Sequence, residues 1–215
     1  MAGIVCPVVL VDSEQPEPEV IARAHALLEA GALLIYPTDT FYALGGRALD
    51  PLAGRKVRTA KGRDDGKPLP VVVGDLAQAA GVCDGWPGIA QRLAQAFWPG
   101  PLTLVLPARP DVPGEITAGT DSLALRVPRS EPARRLCALA GPLVSTSANR
   151  AGEAPPSSCA QAVAEVGDSA ALALDAGPGG REPSTIVDLT RGDPQLLRPG
   201  AIAWENILRV LSSTF

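Results

Sequence analysis

The sequence predicts an α/β protein, and three observations carry that expectation. Short apolar runs, at residues 32–36, 70–73, 102–106, 142–144 and 171–174, alternate with stretches whose apolar residues recur at helical spacing. Glycine and proline, 22 of each in 215 residues, fall between those segments and mark turns rather than a low-complexity tract. Hydrophobic residues make up 46% of the chain and aromatic ones only 4%, so the core has to be built from Leu, Val, Ile and Ala. One domain over residues 1–215 is enough at this length to bury such a core.

Taken in order, residues 4–11 supply an apolar start. Val20, Ile21, Ala24, Leu27 and Leu28 then recur as a helical stripe that stops at Gly31. His25, the only histidine, lies beside that stripe with no partner to orient it and reads as structural. Residues 32–36 form a buried strand that emits a polar loop, residues 37–46, whose Thr and Asp side chains either bind a ligand at the strand exit or satisfy the local turn. Asp50 as N-cap and Pro51 at the first helical position start a helix that runs to about Ala60 and breaks at Gly62. A strand over 70–73 and a short helix over 75–80 follow. Pro87 opens a longer helix carrying Ile89, Leu93, Ala96 and Phe97, and Trp98 at its end reads as core rather than as a platform for a base. After the strand at 102–106, residues 122–127 alternate, with Leu123, Leu125 and Val127 on one face and Ser122 and Arg126 on the other.

An arginine inside a strand needs a partner, which is either a structural counter-ion or the carboxylate or phosphate of a substrate. Residues 130–139 form a helix capped by Ser130 and ended by Gly141. The strand at 142–144 then opens into a second polar exit, where Ser145, Ser147 and Asn149 point the same way if the chain is extended. Those side chains bind phosphate or ribose, or they cap the next turn. Ser158 and Gln161 have capping-box spacing. The last strands fall at 171–174 and 185–189, joined by a flexible glycine-rich loop at 177–181, and a helix over 204–211 ends the chain.

Charge is distributed unevenly. Residues 55–69 hold six of the 19 Lys and Arg residues, namely Arg55, Lys56, Arg58, Lys61, Arg63 and Lys67. Set against Asp64 and Asp65 this makes the segment +4, in a chain of net charge -4. A concentrated basic loop in an acidic protein points to a compact anion, and Gly62 and Gly66 let backbone N–H groups approach it. The alternative is that these cations complement the dipole of the preceding helix. Several chemistries are excluded. The spacing from Gly62 to Pro68 is not a Walker A motif, there is no GxGxxG or GxSxG, and one histidine makes no catalytic triad. Cys6, Cys83, Cys137 and Cys159 are widely spaced, with no CxxC and no histidine cluster, so reduced thiols and no metal site are expected. No apolar run reaches membrane-spanning length, which leads to the expectation of a cytoplasmic protein.

Seven blocks in order carry a resemblance: Tyr36-Pro-Thr-Asp-Thr-Phe-Tyr-Ala-Leu-Gly45, Lys61-Gly-Arg63 with Lys67-Pro-Leu69, Trp98-Pro-Gly-Pro-Leu-Thr103, Leu125-Arg-Val-Pro128, Ser147-Ala-Asn149, Pro183-Ser-Thr-Ile186 and Leu197-Arg-Pro-Gly200. Together they resemble the YrdC/TsaC family of threonylcarbamoyl-AMP synthases in its short, single-domain form. The resemblance implies a twisted mixed sheet of the YrdC-like type, with helices packed around it and a large, concave, positively charged cavity. It also implies the conversion of L-threonine, bicarbonate and ATP to threonylcarbamoyl-AMP and pyrophosphate, with Mg²⁺ carried by the nucleotide. The product would feed the proteins that transfer threonylcarbamoyl to tRNA.

By the same resemblance Lys61, Arg63, Ser147 and Asn149 would be catalytic. Arg63, Lys67, Ser122, Ser147, Asn149, Pro155 and Arg198 would hold ATP, and Thr38, Thr40, Arg126, Ser145 and Ser184 would hold threonine. The chain departs from the family pattern at Ala43, Asp64 and Val72, where glycine, proline and histidine are common. Two other functions fit the residues taken without the resemblance: a module binding tRNA or double-stranded RNA through the basic loop, and a carbamoyl-transfer enzyme with a related adenylate.

Overall fold

The structure is a computed structural model that describes residues 6–62 and 66–212. In chain order the elements are β1 (Val8–Leu10), α1 (Pro18–Glu29), β2 (Leu34–Tyr36), β3 (Ala43–Gly45), α2 (Pro51–Lys61), β4 (Val71–Val72), α3 (Leu76–Gly81), α4 (Gly88–Phe97), β5 (Leu102–Pro107), α5 (Gly114–Thr117), β6 (Ser122–Arg126), α6 (Glu131–Ala140), β7 (Leu143–Val144), β8 (Thr146–Ser147), α7 (Cys159–Val166), β9 (Leu172–Asp175), β10 (Thr185–Asp188), β11 (Gln195–Arg198) and α8 (Trp204–Ser212). The helix boundaries follow the capping chemistry. Asp50 accepts from the Leu52 N–H at 2.9 Å, and Gly62 ends α2 in the left-handed region at φ 65°. Ser130 and Ser158 cap α6 and α7. Gln161 completes the second cap one residue early, accepting from the Ser157 N–H at 2.9 Å.

The strands form two mixed sheets, ordered β1-β9-β2-β3-β8 and β11-β10-β5-β6-β4-β7. They meet where the chain passes from β7 to β8. The Val144 N–H donates across the junction to the Gly46 carbonyl at 2.9 Å, and the Ser145 N–H donates to the Pro70 carbonyl at 2.8 Å. Besides β1, which lies in what the sequence offered only as an apolar start, three strands were not expected from the sequence. β3 lies within the stretch read as a polar loop, β8 within the second polar exit, and β11 follows the strand expected to be last. Each is defined by its pairing: β3 and β11 turn back antiparallel on the strand just before them, β2 and β10, and β8 pairs with β3, about a hundred residues earlier.

Strand β2 is buried on both faces, which accounts for its uninterrupted apolar run. Leu34 and Tyr36 face α1 and α6 in one cluster, with Ile21, Leu28 and Leu136, whereas Leu33 and Ile35 join the larger core against α2, α4 and α7. Trp98 packs on that larger core, 6.2 Å from Trp86 between ring centres, and its indole N–H donates to the Leu102 carbonyl at 2.6 Å. It is a core residue, as expected. His25 lies on α1 beside Glu29 at 3.5 Å.

All four cysteines are buried and free. Burial pushes the Cys83 and Cys159 thiols up to about 12, and the Cys137 thiol up as well. Unfolding restores ordinary thiols, which ionise near 8.5, so above that pH the unfolded chain binds fewer protons than the folded one. Stability from these groups is therefore complete below about 8.5 and declines as pH rises toward 12. Thermal melts from pH 7 to 10.5 are expected to show a falling midpoint above pH 9, with thiol labelling confined to the unfolded chain. A flat profile with rapid native labelling would contradict the burial.

Candidate functional site

The second sheet presents one cross-strand row to a cavity of about 380 Å³. Arg198 pairs with Ile186, Ile186 with Thr103, and Arg126 with Val72. The register of Leu104 on Leu125 sets Thr103 beside Arg126. Paired residues project from the same face, so these five side chains share one floor, while Leu104, Leu123 and Leu125 point into the core behind it. The predicted alternation of β6 is thus what sends Arg126 into the cavity.

Arg126 is buried, and its Nη1 donates to Asp39 Oδ1 at 2.5 Å while its Nη2 donates to Thr40 Oγ1 at 3.2 Å. Thr40 Oγ1 lies 2.9 Å from Thr38 Oγ1, which donates to the Phe41 carbonyl at 2.7 Å. The turn at 38–41 is therefore both locally satisfied and aimed at the cavity. Asp39 Oδ1 also accepts from the Arg129 N–H at 3.1 Å. Removing either member of this pair would strand a buried charge, a loss of about 3–5 kcal/mol.

At the other end of the row, Arg198 Nη2 donates to the Ser184 carbonyl at 2.7 Å and to Ser184 Oγ at 3.0 Å, and Ser184 Oγ lies 2.8 Å from Thr103 Oγ1. Burial, and secondarily the charge of Arg126, push the Arg198 guanidinium below its ordinary value. Two guanidiniums on one cavity floor form a place where two anionic groups can be held side by side.

Nine of the predicted residues line this one cavity: Thr38, Thr40, Lys67, Arg126, Ser145, Ser147, Pro155, Ser184 and Arg198. Beside Ser145, the buried Tyr36 hydroxyl donates to the Val144 carbonyl at 2.7 Å. Lys61, the last residue of α2, stands behind the lining. Its Nζ donates to the Ser147 carbonyl at 2.6 Å and to the Asn149 carbonyl at 2.8 Å. The structure therefore joins Lys61 to the Ser147 exit across 86 residues of sequence.

Asn149 does not follow Ser145 and Ser147 into the lining. β8 ends at Ser147, the two-residue period stops there, and Asn149 Nδ2 donates to the Arg150 and Glu153 carbonyls at 3.0 and 2.7 Å. Ser122 is not in the lining either. It starts β6, about 14 Å along the strand from Arg126 at 3.4 Å per residue, and its Oγ meets Thr120 Oγ1 at 2.9 Å. Arg63 lies outside the described residues.

Tyr42 and Thr103 also lie around the cavity and Asp39 pairs with Arg126; each stands in one of the quoted blocks, yet none is among the site residues that the resemblance implies. The signal for Asp39 was available, since a buried strand arginine requires a counter-ion. No described carboxylate lines the cavity, and no group of three or more His, Cys, Asp or Glu that could hold a metal occurs among the described residues.

A second cavity, of about 460 Å³, lies between α1, α3 and α6, but its Glu131 is already committed to Arg134 and Arg135.

The family model described as "Telomere recombination", for Sua5, YciO and YrdC, matches residues 26–200. The chain belongs to the Sua5/YciO/YrdC family. Among relatives of this family, the threonylcarbamoyl-AMP synthase of Chromohalobacter salexigens is 42% identical over 179 residues, covering 80% of this chain and 94% of that protein. The threonylcarbamoyl-AMP synthase of Pyrococcus abyssi is 38% identical over 201 residues, covering 92% of this chain and 59% of that protein.

The crystal structure of P. abyssi Sua5 complexed with L-threonine superposes with a TM-score of 0.90 at 36% identity, over 95% of this chain and 61% of that one. This family member therefore spans about three-fifths of the archaeal Sua5 and nearly all of the shorter relative. The expected mixed α/β fold of the YrdC-like type is the observed one. No helix among the described residues is long and apolar enough to cross a membrane.

Proposed function

We propose that this chain is a threonylcarbamoyl-AMP synthase, which combines L-threonine, bicarbonate and ATP into threonylcarbamoyl-AMP and pyrophosphate. The observation that supports it most directly is the convergence of Arg126 and Arg198, from strands far apart in sequence, on one hydroxyl-lined cavity. The relatives that share the fold at 36–42% identity carry that activity in their names.

In this reading the Arg126 fork holds the threonine carboxylate, beside the hydroxyls of Thr38, Thr40, Ser145 and Ser184. Lys67, Arg198, Pro155 and the Ser147 exit hold ATP, with Arg63 and Asn149 completing the nucleotide side. The threonine amine and bicarbonate lose water to form a carbamate. A carbamate oxygen then attacks the α-phosphorus, and the bond to pyrophosphate breaks. The reactants are anions that repel each other, so the protein's work is to bring them together and to stabilise the developing charge with fixed cations and donors. Histidine is not needed for this.

Mg²⁺ enters as part of the nucleotide substrate, bound by phosphate oxygens, since the described lining offers it no carboxylate. Asp39 offsets the charge of Arg126. The product is a mixed anhydride that water destroys, so a protein transferring threonylcarbamoyl to tRNA in the cytoplasm takes it up. A fold on one domain over residues 1–215 is part of the same proposal.

Pyrophosphate release should require all three substrates. Omitting threonine, then bicarbonate, is expected to reduce it to background in each case. Release that persists without threonine would overturn the assignment.

A further inference from the structure

Tyr42 is one of the residues around the cavity, wholly buried, and its hydroxyl is engaged by the segment after β9. The hydroxyl donates to the Gly177 carbonyl at 2.6 Å, accepts from the Ala176 N–H at 3.1 Å and lies 3.2 Å from Asp175 Oδ1. Asp175 Oδ1 in turn accepts from the Gly177 N–H at 2.9 Å. One phenol thus gathers the segment after β9, which the sequence led us to expect as a flexible loop. Burial pushes this phenol up, so it keeps its proton and its role as donor.

Beyond Gly177 the segment runs against both sides of the cavity. At Gly180 a Cβ would stand 2.3 Å from the Thr40 carbonyl oxygen and 2.4 Å from that of Asp39, so only glycine lets the two backbones approach this closely. At Gly179 the N–H donates to the Ser157 carbonyl at 2.8 Å, and the Tyr42 N–H donates to the Pro156 carbonyl at 3.2 Å. The same strap therefore presses on the turn that carries Thr38, Thr40 and the counter-ion of Arg126, and is bonded to the segment that carries Pro155. The strap meets both segments through its backbone, so displacement of one side bears on the other.

We infer that Tyr42 is a positioning residue that, through the strap at 175–180, couples the threonine side of the cavity to the nucleotide side, so that each ligand tightens the other. The inference rests on the proposed division of the cavity between threonine and ATP. By linkage the effect has to be reciprocal.

The test is calorimetric titration of L-threonine and of a non-hydrolysable ATP analogue, each alone and each with the other saturating, on the wild-type chain, Tyr42→Phe and Gly180→Ala. In the wild type, saturating analogue is expected to lower the threonine Kd by about 5-fold or more, within the usual range of coupling between sites. In Tyr42→Phe the factor is expected to fall below about 2-fold, in both directions, while each ligand alone still binds. Gly180→Ala, which pushes the strap off the 38–41 turn, should lose the coupling too. An undiminished factor in Tyr42→Phe, accompanied only by a lower Tm, would reduce Tyr42 to a structural role and overturn the inference. So would independent binding of the two ligands to the wild type. Failure of the wild type to bind either ligand would instead overturn the synthase assignment, and the inference with it.

Discussion

Lys61→Met is expected to slow pyrophosphate release from ATP, threonine and bicarbonate by about 10²–10³-fold, the scale for losing a preorganised charged donor. Lys61 is buried, at 3% exposure, and its ammonium donates to the carbonyls of Ser147 and Asn149. Methionine keeps most of the stem's volume but removes the charge and leaves those carbonyls without this donor. The damage therefore has two parts, a weaker field at the Ser147 exit and a looser exit. Each lost charge-assisted bond carries about 1.5–3 kcal/mol, so a lower thermal midpoint should accompany the slower turnover. The assay is single-turnover release of pyrophosphate with saturating substrates, alongside a thermal melt. Turnover within a few-fold of wild type would show that Lys61 has no part in the reaction. Arg63→Ala is the companion variant, predicted from the sequence block that both residues share.

Gly45→Ala should be the most destabilising single substitution at the site. A Cβ at this position would stand 1.6 Å from the Val144 carbonyl oxygen and 2.7 Å from its carbon, with the Tyr36 hydroxyl oxygen at 3.3 Å. No rotamer relieves a contact between Cβ and backbone, so β3 and β7 would have to separate where the two sheets meet. Loss of more than about 4 kcal/mol is expected, which lies in the range reserved for severe steric or buried-charge defects. For a chain of this size that corresponds to a Tm lowered by about 10 °C or more. Because Ser145 follows Val144, whatever protein remains folded should also bind threonine poorly. A melt within about 3 °C of wild type would contradict the close approach.

The parts of the fold that could be read from the chain are those governed by local chemistry. Asp50-Pro51 and Gly62 bounded α2, Ser130 and Gly141 bounded α6, and the alternation at 122–127 placed Arg126 opposite Leu123 and Leu125. The strands β3, β8 and β11 escaped because they are two to four residues long and take their identity from pairing, β3 and β11 with the strand just before them and β8 with a partner about a hundred residues away. Composition does not record such pairing. The glycine-rich segment at 177–181 was misjudged for a related reason. Glycine permits flexibility, but at Gly179 and Gly180 it serves close packing against Tyr42, Ser157 and Thr40.

By itself the sequence determined the α/β class, the capped helices, the concentration of basic residues at 55–69 and the blocks that resemble a threonylcarbamoyl-AMP synthase family. All of these depend on residue types at short spacing. Only the tertiary structure decided which residues share a cavity. It brought Arg198 and Arg126 into one row through the registers of β11, β10, β5 and β6, and it supplied Asp39 as the partner of Arg126. It also set Lys61 behind the Ser147 exit, turned Asn149 into the following loop and left Ser122 at the far end of its strand. Strand register is fixed by burying a whole sheet face at once, so the neighbours of any single side chain are a property of the assembled sheet.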